Sequence, residues 1–213
     1  VILAIPVALW AQQPKHGGAL RVAWEADITG LDPHISSGIQ AQWLVGNIFN
    51  SLVTIDENMK YIPELAESWD VKDEGKTYVF HLRKGVKFHD GTDFDAEAVK
   101  FNFLRITARL DPEERPFAAP FFTAVESVEP LDAHTVQFNL KSPSYTVIPA
   151  LAVYRVGFLQ ISPTSYKTHG KQQVALHPSG TGAFKFAKWE QNNIIVLEKN
   201  PAYYMEPAKL DRV

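Results

Sequence analysis

Residues Glu64 to Ile106 read ELAESWDVKDEGKTYVFHLRKGVKFHDGTDFDAEAVKFNFLRI, and this stretch decides the fold. Trp69 and Val71 stand two apart before Asp73-Glu74-Gly75, a turn whose glycine accepts a positive φ. Beyond the turn Tyr78, Phe80 and Leu82 alternate with Thr77, Val79 and His81, the period of two of a strand. Lys84-Gly85 re-aims the backbone, Val86 and Phe88 resume the alternation, and His89-Asp90-Gly91 ends it. Asp95 is placed to cap a helix in which Val99, Phe103 and Ile106 share one face. These residues predict a hairpin, a tight corner and a helix. Trp69, Tyr78, Phe80, Leu82 and Phe88 are expected to be mostly buried, with Gly85 and Gly91 in turns.

Outward from this stretch the chain has 213 residues, enough for one good core or two modest ones. Hydrophobic residues make up 46% and charged residues 21%, the composition of an ordinary globular protein. A net charge of −3 speaks against a nucleic-acid partner, which calls for a basic patch or stripe. Cysteine is absent, which removes disulfides, thiolate metal sites, cysteine nucleophiles and a lipidated cysteine together. Val1 to Ala11 is apolar but too short to cross a bilayer, and reads with the residues up to 16 as a signal-peptide remnant and leader.

Leu20, Val22 and Trp24 alternate after Gly17-Gly18 and predict a first strand, which runs into Leu31-Asp32-Pro33-His34. A helix is expected from about Gln40 to Asn50, with Leu44, Ile48 and Leu52 packed in a core. Val125 to Leu140 predicts a second hairpin turning at Asp132-Ala133-His134. A third is expected on either side of Gln191-Asn192-Asn193. Between them, Ser162-Pro163 caps a short helix that Gly170 stops.

The identities of these residues add what periodicity cannot. The stretch closely resembles the signature of family 5 bacterial solute-binding proteins, whose form is P-x-LAESW, DGK, then T-Y-x-F-x-LRKGVKFHDG. Pro63, Leu65 to Trp69, Gly75, Lys76, Tyr78, Phe80, Leu82 to Gly85 and Lys87 to Gly91 fit it. Glu74 stands for the usual turn Asp, Asp95 for the Thr cap, and Ala98 for the acid of a capping box. His177 to Phe184 resembles the family's HPVGTGPF segment, and Asn200-Pro201 with Tyr203-Tyr204 its NPxYW motif, Tyr204 standing where Trp is usual.

The resemblance implies an α/β, periplasmic-binding-protein-like first lobe of type II, with a mixed β-sheet and an inserted hairpin-rich subdomain, the second lobe lying outside the chain. Residues 17–48 and 178–213 are expected to form the lobe, and 49–177 the insertion. It implies a monomeric extracytoplasmic receptor, periplasmic, that captures a small solute for an ABC permease. Di- or oligopeptides are the expected ligands, with nickel chelates, opines, haem and oligosaccharides as alternatives. By position Ser37, Gly38 and Ile39 are expected to line the cleft, with Phe117 a further candidate.

Catalytic patterns are missing: the sequence holds no GxSxG, HExxH or Walker A motif. His81 and His89 lie near Asp90 in sequence without a third ligand at useful spacing, and Gly180-Thr181-Gly182 opens a strand instead of a helix. No catalytic residue, metal or cofactor is therefore expected. A hydrolase or other enzyme on a mixed α/β scaffold is the competing class.

Overall fold

In the computed structural model, residues 16–114, 116–152 and 158–213 are described. The signature folds as a hairpin of β3 (Ala66–Lys72) and β4 (Thr77–Leu82), followed by helix α2 (Ala96–Ile106). Its turn is more strained than one glycine requires, because Asp73, Glu74 and Gly75 all have positive φ, at 50, 56 and 91°. A side chain at Gly75 would also press on the Tyr145 ring, 3.2 Å away. Asp95 caps α2 as expected, its side chain accepting from Ala98 N at 2.8 Å.

The second hairpin, β5 (Val125–Asp132) and β6 (Thr135–Leu140), joins the first in an antiparallel sheet of order β3-β4-β6-β5. Tyr78, Phe80 and Leu82 point to one face with Val136 and Phe138, and α2 closes over it through Val99, Phe103 and Ile106. Phe138 receives Phe80, Phe103 and Phe158 edge-on at 5.1 to 6.2 Å, geometry that aromatic quadrupoles favour. A small hairpin, β1 (Val53–Ile55) with β2 (Tyr61–Pro63), and helix α3 (Val147–Ala152) complete this core.

A second apolar cluster gathers Leu31, Val45, Ile48, Phe49, Leu159, Ile161, Val174, Phe184 and Leu197. It unites helix α1 (Ile39–Ile48), helix α4 (Pro163–Gln173) and the hairpin of β7 (Phe184–Glu190) and β8 (Ile194–Lys199). Gly170 leaves helical geometry inside α4, at φ 71° and ψ 170°. Residues 211–213 lie beside β8, with Leu197 and Val213 exchanging backbone hydrogen bonds of 2.8 and 3.0 Å. On its other side Arg212 makes a parallel bridge to Ala19 and accepts from Leu20 N at 3.1 Å.

Three expectations need correction. The strand over Leu20–Trp24 does not form: pairing stops at Leu20, and Leu20, Val22 and Trp24 are 50, 53 and 45% exposed. Their alternation defines a face, but among the described residues no backbone runs beside it beyond Arg212. Trp69 is half-buried, since β3 is an edge strand and the indole lies against Phe80 at 6.5 Å without being enclosed. Val86 and Phe88 are buried but form no strand; the Lys87–Asp93 bridge folds that segment back on itself. Gly85 and Gly91 do turn the chain there, at φ 72 and 88°.

Candidate functional site

Ser37, Gly38 and Ile39 sit together at the start of α1, all exposed. Gly38 is the N-cap, with extended backbone and no side chain to cover the helix end. One turn on, Trp43 is 51% exposed on the same side as Ile39, which is 55% exposed. Trp24 reaches it from the N-terminal segment, the two rings 6.3 Å apart and tilted by 40°. With Ile35, Leu20 and Val22 these residues make an apolar wall that the chain does not cover. Sequence reasoning named Ser37, Gly38 and Ile39 but missed Trp24 and Trp43. An outward Trp looks like a core residue in sequence, and only the failure of the first strand leaves Trp24 uncovered.

The loop carrying this wall hangs from a buried charge cluster. Arg105, on α2 and fully buried, grips Asp32 through two hydrogen bonds of 3.0 and 2.6 Å and reaches Glu114 at 3.0 Å. Its guanidinium also lies over the Tyr166 ring at 4.6 Å. Asp32 in turn accepts from His34 N at 3.0 Å, and its carbonyl accepts from Ser36 N at 2.9 Å. Gln42 Nε2 donates to Ser36 O at 2.5 Å and ties the loop down to α1.

His34 completes the cluster in one tautomer. Its Nε2 lies 2.8 Å from Leu159 O, an acceptor, so that nitrogen carries the proton. Nδ1 then accepts from Arg105 Nη1 at 3.2 Å. Burial, and secondarily the Arg105 charge, depress the imidazole to about 4, which keeps it neutral. Burial alone would raise the Asp32 carboxyl, but the hydrogen bonds and charge of Arg105 outweigh it, and the group is held below its ordinary value. Deleting Arg105 would strand two buried carboxylates, a loss of about 3–5 kcal/mol.

Phe117 lies beside this loop, its N donating to His34 O at 3.2 Å, while its half-buried ring packs on the larger apolar core. The two histidines weighed as metal ligands are held apart. His81 bonds Asp70 at 3.1 Å, and His89 bonds Gly182 O at 3.0 Å. Among the described residues no group of three or more His, Cys, Asp or Glu is placed to hold a metal.

The opposite end of α1 is fixed by a knot of the sequence motifs. Gly182 N donates to Ile48 O at 2.8 Å, satisfying a terminal helix carbonyl. His89 N donates to Gly180 O at 2.8 Å, and Asp90 accepts from Ser162 Oγ at 2.5 Å at the N-terminus of α4. His-Asp-Gly and Gly-Thr-Gly are thus two halves of one clasp.

The sequence pattern of bacterial extracellular solute-binding proteins, family 5, middle part, matches residues 60–213. The chain belongs to this family. A glutathione-binding protein GsiB from Shigella flexneri is 34% identical over 214 residues, covering 100% of this chain and 41% of the relative. The periplasmic binding protein DppA from Helicobacter pylori, solved with the peptide STSA, superimposes with a TM-score of 0.83 at 31% identity, over 93% of this chain and 42% of that one. AgaA from Agrobacterium tumefaciens R10, solved with agropinic acid, gives 0.80 at 31% identity, over 88% and 37%. The chain therefore spans less than half the length of these relatives. The α/β, periplasmic-binding-protein-like fold expected from the sequence is the fold these structures share with it.

Proposed function

We propose that this chain is the first wall of a two-walled solute receptor, the substrate-binding component of an ABC importer acting in the periplasm. The observation that carries the reading is the uncovered surface at Ser37, Gly38, Ile39, Trp24 and Trp43, set on a rigid buried cluster in a family of solute-binding proteins. Phe117 borders this surface and is the outlying member of the site. A second wall, equivalent to the remainder of the longer relatives, closes over the solute, and capture proceeds without bond-making.

Di- or oligopeptides are the proposed ligands. The GsiB relatives bind glutathione, itself a tripeptide, and the DppA structure holds a tetrapeptide, whereas AgaA holds an opine. Peptide backbones offer evenly spaced donors and acceptors that exposed loop backbone at Ser37 and Gly38 can meet. The receptor works as a monomer that hands the solute to a permease. Residues 17–48 and 178–213 make the lobe and 49–177 the insertion; the smaller apolar cluster supports this but draws Leu159, Ile161 and Val174 to the lobe.

Calorimetry on the chain joined to a family 5 second lobe tests the reading. Saturable heat with glutathione or a tetrapeptide is expected. Saturation only by an opine or a sugar overturns the peptide class, and no saturation by any of the three overturns the receptor.

A further inference from the structure

Glu64 occupies the position that the P-x-LAESW pattern leaves open, and Tyr204 stands where the closing motif usually has Trp. The fold brings both to the clasp that ends α1. The Glu64 carboxylate turns inward, Oε1 accepting from Asn50 Nδ2 at 2.8 Å and Oε2 from Ser51 N at 2.7 Å. Asn50 and Ser51 are buried, and both donors are neutral.

The neighbouring cation, Arg83 at the end of β4, directs its Nε to the Glu64 backbone oxygen at 2.5 Å and stands over the Tyr204 ring at 5.9 Å. Tyr203 and Tyr204 face the carboxylate from the loop after β8, their rings 4.9 Å apart, and the Glu64 charge helps push both phenols upward. Tyr204 Oη is buried without a hydrogen-bond partner. Burial, opposed by the two neutral donors, raises Glu64 to about 7.

We propose that Glu64 is a proton-binding site whose occupancy latches the C-terminal end of α1 to the loop at residues 200–204. The neutral acid keeps its bonds from Asn50 and Ser51 and gains an O–H, for which the buried Tyr204 oxygen is the waiting acceptor. The ionised form holds a charge in an apolar junction on two neutral donors, which loosens the junction. Asn50 and Ser51 follow α1 directly, and α1 carries Ile39 and Trp43 at its other end, so the proton is felt at the wall. The latch does not depend on which solute the wall receives.

The test is a nuclear magnetic resonance titration of this chain between about pH 5 and pH 9, following the Glu64 side-chain carboxyl and the amides of Val45 to Ser51. The Glu64 midpoint is expected near 7, with the Ser51 amide moving on the same curve. Glu64→Gln abolishes the Ser51 titration, and Tyr204→Phe lowers the midpoint by removing the acceptor of the neutral form. A Glu64 midpoint near 4.5, the ordinary carboxylate value, overturns the proposal. So does a neutral midpoint that leaves Val45 to Ser51 unmoved, or one unchanged in Tyr204→Phe. Should Glu64→Gln fail to fold, the titration of the unaltered chain still decides.

Discussion

Buried ionisable residues give the molecule opposing responses to acid. His34 and His89 are depressed to about 4, chiefly by burial, from an ordinary 6.5. The stability they supply is complete above pH 6.5 and is lost as pH falls through 4. Glu64 is raised to about 7 from 4.5, so its contribution is complete below pH 4.5 and lost as pH rises through 7. Two histidines outweigh one acid between these limits, and stability climbs with pH towards 6.5 before Glu64 begins to dominate. Glu64→Gln is expected to steepen the climb and to level the curve above pH 7. Urea midpoints at four pH values check this, and parallel curves for the two proteins would sink it.

At the scale of elements, packing sorts the glycines by cost. A Cβ on Gly182 would lie 2.6 Å from Ile48 C and clash with Asn47 O, because the Gly-Thr-Gly backbone rests directly on the end of α1. Gly91 has φ 88° but open space around it. Gly91→Ala should therefore lose only the left-handed penalty, about 1–2 kcal/mol. Gly182→Ala should lose clearly more, since helix backbone must move; denaturant melts that rank the two the other way would refute this. Hairpins, turns and the Asp95 cap were legible in sequence because each depends on neighbours within a few residues. The clasp was not, because it joins Ile48, His89 and Gly182 across the whole chain. Trp69 was misjudged for a related reason: alternation marks a face, but whether a strand lies at the edge is decided by β5 and β6, far along the sequence. Replacing Trp69 by Ala should accordingly cost less than the 3–5 kcal/mol typical of an enclosed aromatic, about half of it.

At the scale of the whole molecule, Ser37, Gly38 and Ile39 could be placed by family resemblance, while their support by Arg105, Asp32 and His34 appears only once α2 is folded against the loop. The wall faces solvent, where polar contacts compete with water and apolar ones bury little area. The 213 residues alone are expected to bind glutathione or a tetrapeptide at least about tenfold more weakly than the chain joined to a second lobe, a loss of about 1.4 kcal/mol or more. Parallel titrations measure it, and equal affinities would show that one wall carries recognition unaided.

The pairing of Arg212 with Ala19 on one side and Glu198 on the other has a consequence for assembly in time. A ribosome or an export channel delivers the chain from its N-terminus, so Ala19 and Leu20 emerge long before the strand partner they need. Closing so long a loop is entropically slow and comes only after local structure exists to shorten it. The hairpin-rich core, whose strands follow one another closely, can condense while the ends are still apart. The lobe that bears the wall is then the last part to be sewn shut, and until then Leu20, Val22 and Trp24 are the apolar residues most available to a chaperone.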